Sequence, residues 1–168
     1  MSSQSKDRRD RASALASEPA AARLAAGLEC RIGRARIAVP VGAVSRIIEY
    51  QLAPLPLARP WIGGVGIHED APILSVALVP AQSRSARETT AKGVLLVVPD
   101  SSIGWALEIH EVFAFVRATV LPRRDEAAAG SELPRWITGA RTDDGRALGW
   151  IHVPAMLADL APTAAEAA

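Results

Sequence analysis

Apolar and polar positions alternate through much of this chain with the period of a strand rather than that of a helix. From Leu28 to Ile32 the side chains run apolar, charged, apolar, charged, apolar, and Gly33-Arg34 then turns the chain. Ile37-Ala38-Val39-Pro40-Val41 continues extended, so this region predicts a hairpin. Val44 to Ile48 follows either as a helical turn or as a further strand. Gly93 to Val98 is a continuous apolar run, the mark of a buried strand. Ile103, Trp105, Leu107 and Ile109 alternate with Gly104, Ala106, Glu108 and His110, again with period two. Around Glu111 the phase becomes unclear before Phe113 and Phe115, which predicts a bulge. Helical spacing shows in two places only. Ser17-Glu18-Pro19 starts a helical pattern over Ala20 to Ala26 that stops at Gly27, but the piece is shorter than the ~12–15 residues a helix needs alone, so residues 1–27 are expected as a flexible tail, at most transiently helical. Val153, Met156, Leu157 and Leu160, with Pro154 at the first helical position, predict a closing amphipathic helix.

Punctuation divides these elements. Pro54, Pro56 and Pro60 deny backbone donors, so Leu52 to Pro60 reads as an extended connector. Residues 81–92 (AQSRSARETTAK) form a polar break that splits the domain into halves, and PRRDEAAAGSE forms a second. The halves share a grammar of hairpin, linker, Trp-Ile-x-Gly, charged turn and strand. It is carried once by Trp61-Ile62-Gly63-Gly64 with His68-Glu69-Asp70, and again by Trp136-Ile137-Thr138-Gly139 with Asp143-Asp144-Gly145. Both tryptophans are expected as core anchors, since a buried indole removes much surface from water. Short strands at close spacing with Gly/Pro turns predict an all-β protein made of two related small barrels. A tail over 1–27 and another over 161–168 flank a domain over 28–160.

Composition narrows the function. Nineteen Lys and Arg against eighteen Asp and Glu give a formal charge of +1, scattered rather than concentrated, which argues against nucleic-acid binding. No apolar run approaches the ~18 residues of a membrane span, and the first residues resemble neither a signal nor a transit peptide. The single cysteine, Cys30, fits a reducing compartment, so a cytoplasmic location is expected.

At this point five weakly specific segments, in order, resemble the CheW-like domain family. They are Ala38-Val39-Pro40 with Val44; Pro56, Pro60-Trp61-Ile62 and Gly64-Val65 with the strand ending at Leu78; Gly104 to Val112; Trp136 to Gly139; and the final helix through Leu157. The resemblance covers about residues 28–160. It implies two five-stranded SH3-like barrels with a short C-terminal helix, no catalysis, and no cofactor or metal. It also implies adaptor work in which chemoreceptors are coupled to a CheA-type histidine kinase in chemotaxis-type signalling. By family position, Val44, Arg46, Gly64 and Glu69 are the expected partner-binding residues, and Val98 and Trp105 are further candidates whose first reading is core. Two contact positions depart in charge. The family's usual arginine is replaced by Glu69, and its common acid is replaced by Arg46. Like charges brought together at an interface cost several kcal/mol, so a partner built for the usual pattern should bind poorly. The two residues are expected either to pair with each other, to meet a matching partner, or to mark a surface no longer used.

Two other roles stay in view. The same fold would serve a divergent module that binds the kinase without a receptor, or that inhibits the array. A small β-barrel enzyme is the rival class, with His68, His110, His152 and Cys30 as its chemistry-bearing candidates, beside the paired acids Asp143-Asp144, which a turn before Gly145 already explains. The histidines lack metal-ligand spacing, and Cys30 sits at a buried strand position, where a thiol is usually inert. Gly63-Gly64-Val65-Gly66 lacks the lysine and helix of a phosphate loop.

Overall fold

A computed structural model describes residues 21–55, 60–78, 89–99, 101–122 and 133–160. Among them lie ten strands and one helix. The strands are β1 (Arg23–Ile32), β2 (Ala35–Pro40), β3 (Val44–Ala53), β4 (Ile62–His68), β5 (Ala71–Val76), β6 (Thr89–Leu96), β7 (Gly104–Glu108), β8 (Glu111–Val120), β9 (Ile137–Thr142) and β10 (Ala147–Ile151). The helix is α1 (Val153–Leu160), and a short 3₁₀ turn, Val41–Ala43, joins β2 to β3. The strands close into two five-stranded barrels, ordered β3-β4-β5-β7-β6 and β1-β2-β10-β9-β8.

The barrels are not the two halves of the chain. Each barrel combines a three-stranded unit (β3-β4-β5 or β8-β9-β10) with the hairpin that belongs to the other half (β6-β7 or β1-β2). In both, the hairpin docks on the last strand of the triple by a parallel junction: Val76 beside Leu107 in one, Trp150 beside Ala38 in the other. The repeated Trp-Ile-x-Gly sits at matching places. The carbonyl of Trp61 accepts the Ala77 N–H, and that of Trp136 accepts the His152 N–H, both at 2.8 Å. The repetition in sequence is therefore real, but the break at 81–92 falls between β5 and β6 of a single barrel, and Thr89 to Lys92 already belong to β6.

Packing explains this exchange. Where they meet between the barrels, the hairpin strands bury both faces. One face lines a barrel: Ala106 packs with Ile48 and Tyr50 of β3 in the middle barrel, and Ala38 packs with Ala118 of β8 and Trp150 of β10 in the other. The opposite face supplies the largest apolar cluster, which lies between the barrels and takes Leu28, Cys30, Val39, Val94, Leu96 and Leu107 from the hairpins. α1 adds Val153, Met156 and Leu160 to this shared core. A strand buried on both sides reads as a continuous apolar run, which accounts for Gly93 to Leu96; the apolar run goes on to Val98, but β6 ends at Leu96 and Val97 is exposed. Tyr50 is seated against two glycines; a Cβ on Gly66 or Gly93 would stand 2.7 or 3.0 Å from its ring.

Several expectations change. The described part of Ala20 to Ala26, residues 21–26, is not a helix, because β1 starts at Arg23 and pairs Arg23 to Leu28 with Val120 to Phe115 of β8. The gain from the ladder overrides the helix propensity of the alanines. The tail thus ends before Arg23, and residues 1–20, like 161–168, lie outside the described residues. Leu52 and Ala53 belong to β3 rather than to a connector. Val44 to Ile48 is strand. The bulge is present in β8, where the register shifts between Leu28 and Cys30. The blurred phase there has a second cause, since the chain crosses between barrels at Ile109 and His110. Trp136 is fully buried, whereas Trp61 is half-buried in a left-handed conformation (φ 74°) at the entry to β4.

Because one core serves both barrels, neither should unfold alone. Truncating Leu107, which is 1% exposed, to alanine is expected to cost about 2–5 kcal/mol. It should shift a single urea transition seen identically by circular dichroism and tryptophan fluorescence. Two separated transitions would show that each barrel holds itself.

Candidate functional site

The four residues singled out by sequence all fall in the middle barrel, on β3, β4 and the β4–β5 turn. Val44 opens β3 and is half-buried at the rim of the shared core. The register of β3 against β6 shifts between Val44 and Arg46, and the Arg46 side chain stands in solvent. Glu69 lies in the charged turn, where Glu69 and Asp70 both have positive φ (50° and 62°). A two-residue hairpin turn needs that backbone hand, and Asn-Gly usually supplies it. Here two acids supply it.

The turn is tied down by charge. Arg46 Nη1 donates to Glu69 Oε1 at 2.7 Å, and His68 Nε2 lies 3.7 Å from the same oxygen. The exchanged pair is thus one contact, spanning β3 and the turn. Both side chains are more than half exposed, so the pair contributes about 0–1 kcal/mol. Its weight falls on what the surface presents, not on stability.

Gly64 has a different reason to be glycine. Its φ is 153°, and a Cβ there would stand 2.2 Å from the carbonyl oxygen of Ala53. It therefore lets β4 pass close against the end of β3, where the β4–β5 register shifts. Of the two further candidates, Trp105 is buried in the shared core and Val98 packs half-buried against it. Beside Val44 lies an apolar surface that sequence reasoning did not select. Val97 donates its N–H to the Ala43 carbonyl at 2.9 Å, and Val41, Val97 and Ile103 are between 44% and 49% exposed. Their hydrophobicity gave no warning, because a strand pattern counts such residues as interior.

A second charged cluster was also missed. Glu29 looks like the solvent-facing member of an alternating strand, yet it is 2% exposed. Its Oε1 accepts from Arg36 at 2.6 Å and from Arg146 at 3.0 Å, joining β1, β2 and the β9–β10 turn. Arg36 also stacks on Phe113, and Arg146 reaches Asp144 at 2.8 Å. Burial pushes the Glu29 carboxyl up, but the two guanidiniums outweigh this and hold it below the ordinary carboxylate range. Asp144, bonded by Thr142 and Arg146, is also lowered, to about 2. The signal was absent from the local pattern, since Arg146 is 117 residues away.

The chemistry-bearing residues do not converge. His110 Nδ1 accepts from the Gly33 N–H, and His152 Nδ1 caps α1 by accepting from the Ala155 N–H. Burial raises the Cys30 thiol to about 11, the condition of an inert thiol. Ser75 donates to Glu108 at 2.6 Å and lies 2.8 Å from the Tyr50 hydroxyl, a chain internal to the barrel. Among the described residues no group of three or more His, Cys, Asp or Glu side chains is placed to hold a metal ion. No described helix is long and apolar enough to cross a membrane.

Two closed barrels on one shared core, finished by a C-terminal helix, define a double SH3-like module. The family model for the CheW-like domain matches residues 26–161, and the chain belongs to that family. Among solved structures, the scaffolding protein TtCheW from Thermoanaerobacter tengcongensis is similar in fold, with a TM-score of 0.53 at 10% identity over 82% of this chain and 90% of that one. No curated protein matches the chain.

Two outcomes test this account. Glu29 is depressed in the folded state, so its contribution is present above the unfolded value near 4.5. It is lost as pH falls through the lower folded value. Stability measured by urea titration should therefore drop as the pH falls from about 4.5 toward the lower folded value, and Glu29→Gln should flatten the drop while lowering stability at neutral pH. Gly64→Ala should cost about 3 kcal/mol through strain and overlap; an unchanged urea midpoint would contradict the close passage.

Proposed function

We propose that this protein is a non-catalytic adaptor of a chemotaxis-type signalling system that couples chemoreceptors to a CheA-type histidine kinase through protein–protein contacts. The observation that carries the reading is the family match across residues 26–161, joined to a fold with matching architecture. Members of the family work as adaptors, and such work needs surfaces rather than a reacting cavity. Val44, Arg46, Gly64 and Glu69 are the proposed contact region. In this reading Arg46 and Glu69 set partner choice, Val44 joins the exposed Val41, Val97 and Ile103 in an apolar surface, and Gly64 holds the supporting backbone. Helix-in-groove docking of a receptor hairpin suits apolar side chains beside a seam between two barrels. The proposed compartment is the cytoplasm, where the kinase and the receptor tips reside.

One observation favours a second reading, a module that binds the kinase and not the receptor. Arg46 and Glu69 satisfy each other within the chain, and their charges are reversed from the family's usual arrangement. A partner matched to the usual signs would have to separate this pair and would then meet like charges.

Co-purification with the kinase and receptor encoded beside the gene tests the adaptor role. Binding to both supports coupling, binding to the kinase alone supports the second reading, and binding to neither at tens of micromolar refutes both. The double substitution Arg46→Glu with Glu69→Arg should raise affinity for an ordinary array partner about tenfold, or about 1.4 kcal/mol. No change would remove charge as the cause of the divergence.

A further inference from the structure

The outer face of β1, β8 and β9 lies on the other barrel from Arg46 and Glu69. In β8 the inward residues are Val116, Ala118 and Val120, and the outward ones are Phe115, Arg117 and Thr119. Register places Ala26 of β1 beside Arg117, Leu24 beside Thr119, and Thr119 beside Arg141 of β9. Leu121 extends the same surface; its Cδ1 covers Gly139, 3.3 Å from where a Cβ would stand. The outward side of a barrel strand in water is ordinarily polar. This one carries Phe115 at 69% exposure, Leu24 at 54% and Leu121 at 51%.

The charge on this face is of one sign. Arg117 and Arg141 are exposed, and none of these outward positions on β1, β8 or β9 is a carboxylate. Among the described residues Arg117 has no ion-pair partner, and Arg141 spends one donor on the Gly145 carbonyl. Asp143, in the β9–β10 turn, forms no ion pair with it among the described residues. Exposed aromatic and arginine side chains are the residue types that anchor protein contacts. Residues 1–20, which lead into β1, are a poor match for this face, since they carry four cations against three anions.

We propose that this face is a second docking surface, separate from the Arg46–Glu69 region, and that its occupant is an acidic amphipathic helix of a partner protein. Phe115, Leu24 and Leu121 receive the apolar side of the helix, and Arg117 and Arg141 meet its carboxylates. From Phe115 to Leu121 the strand runs about 20 Å, a length that a helix of about 14 residues covers.

The test uses the full chain and a fluorescein-labelled helical peptide of about 18 residues, leucine on one side and glutamate on the other, read by fluorescence anisotropy. Two control peptides replace glutamate by glutamine or by lysine. The acidic helix should bind at least tenfold more tightly than either control, and binding should weaken as salt rises from about 0.05 to 0.5 M. Arg117→Glu and Phe115→Ser should each weaken it about tenfold while leaving the circular dichroism spectrum unchanged. Glu69→Arg should leave binding unchanged, which separates this surface from the one proposed above. Equal binding of the three peptides, loss of binding in Glu69→Arg, or indifference to Arg117→Glu would overturn the assignment. Sedimentation with phosphatidylserine vesicles in the absence of peptide binding would also overturn it and give the face to a lipid surface instead.

Discussion

The structure depends on one constraint: where the hairpin strands meet between the barrels, both of their faces must be buried. A five-stranded barrel of this size has little interior, and Ala38, Ala118, Ala140 and Trp150 nearly fill one of them. The larger apolar volume lies outside both barrels and between them, where Leu28, Cys30, Val94 and Leu107 meet Met156 of the helix. Burial there stabilises at about 25 cal/mol per Å² of apolar surface, and either barrel alone would leave that face in water. The pairing of barrels is thus the folding unit, and the helix is its lid.

Polar groups are placed where this arrangement leaves them room. In the middle barrel Tyr50, Ser75 and Glu108 form a chain, and the exposed Arg46–Glu69 pair fastens the β4–β5 turn. In the other barrel the corresponding turn is fastened from inside, by Arg146, which binds Asp144 and reaches the buried Glu29. The two barrels therefore solve the same local problem differently. One leaves its ion pair on the surface, where it helps decide what can approach. The other buries a carboxylate between two guanidiniums, where breaking it is costly because the remaining charge stays unpaired.

Much of this was legible in the chain. The period of two in Ile103 to Ile109, the hairpin over Leu28 to Val41 and the spacing of Val153, Met156 and Leu160 each gave the right element. The twice-written Trp-Ile-x-Gly gave the right repeat. What stayed hidden is long-range. Nothing local says that β1 and β2 leave their own neighbours and join β8 to β10, so the halves of the sequence passed for the halves of the molecule. Arg23 to Ala26 passed for tail, at most transiently helical, because alanine favours helix when no ladder competes. Glu29 passed for a surface residue because alternation marks two faces without saying that both are interior. Pairing of Arg46 with Glu69 was one of the alternatives the sequence left open, and the turn geometry that brings the two together makes that contact.

The exchange of hairpins also bears on how the molecule is made. As the chain leaves the ribosome, the middle barrel has all five strands once Glu108 has emerged and, though its seam face stays uncovered, can pair them early. The first hairpin cannot: its partners β8, β9 and β10 come last, and the helix that seals the seam comes after them. Until then β1 and β2 present apolar edges with nothing to pair them, a condition that slows folding and invites association. During synthesis the newborn chain is therefore most vulnerable at this first hairpin.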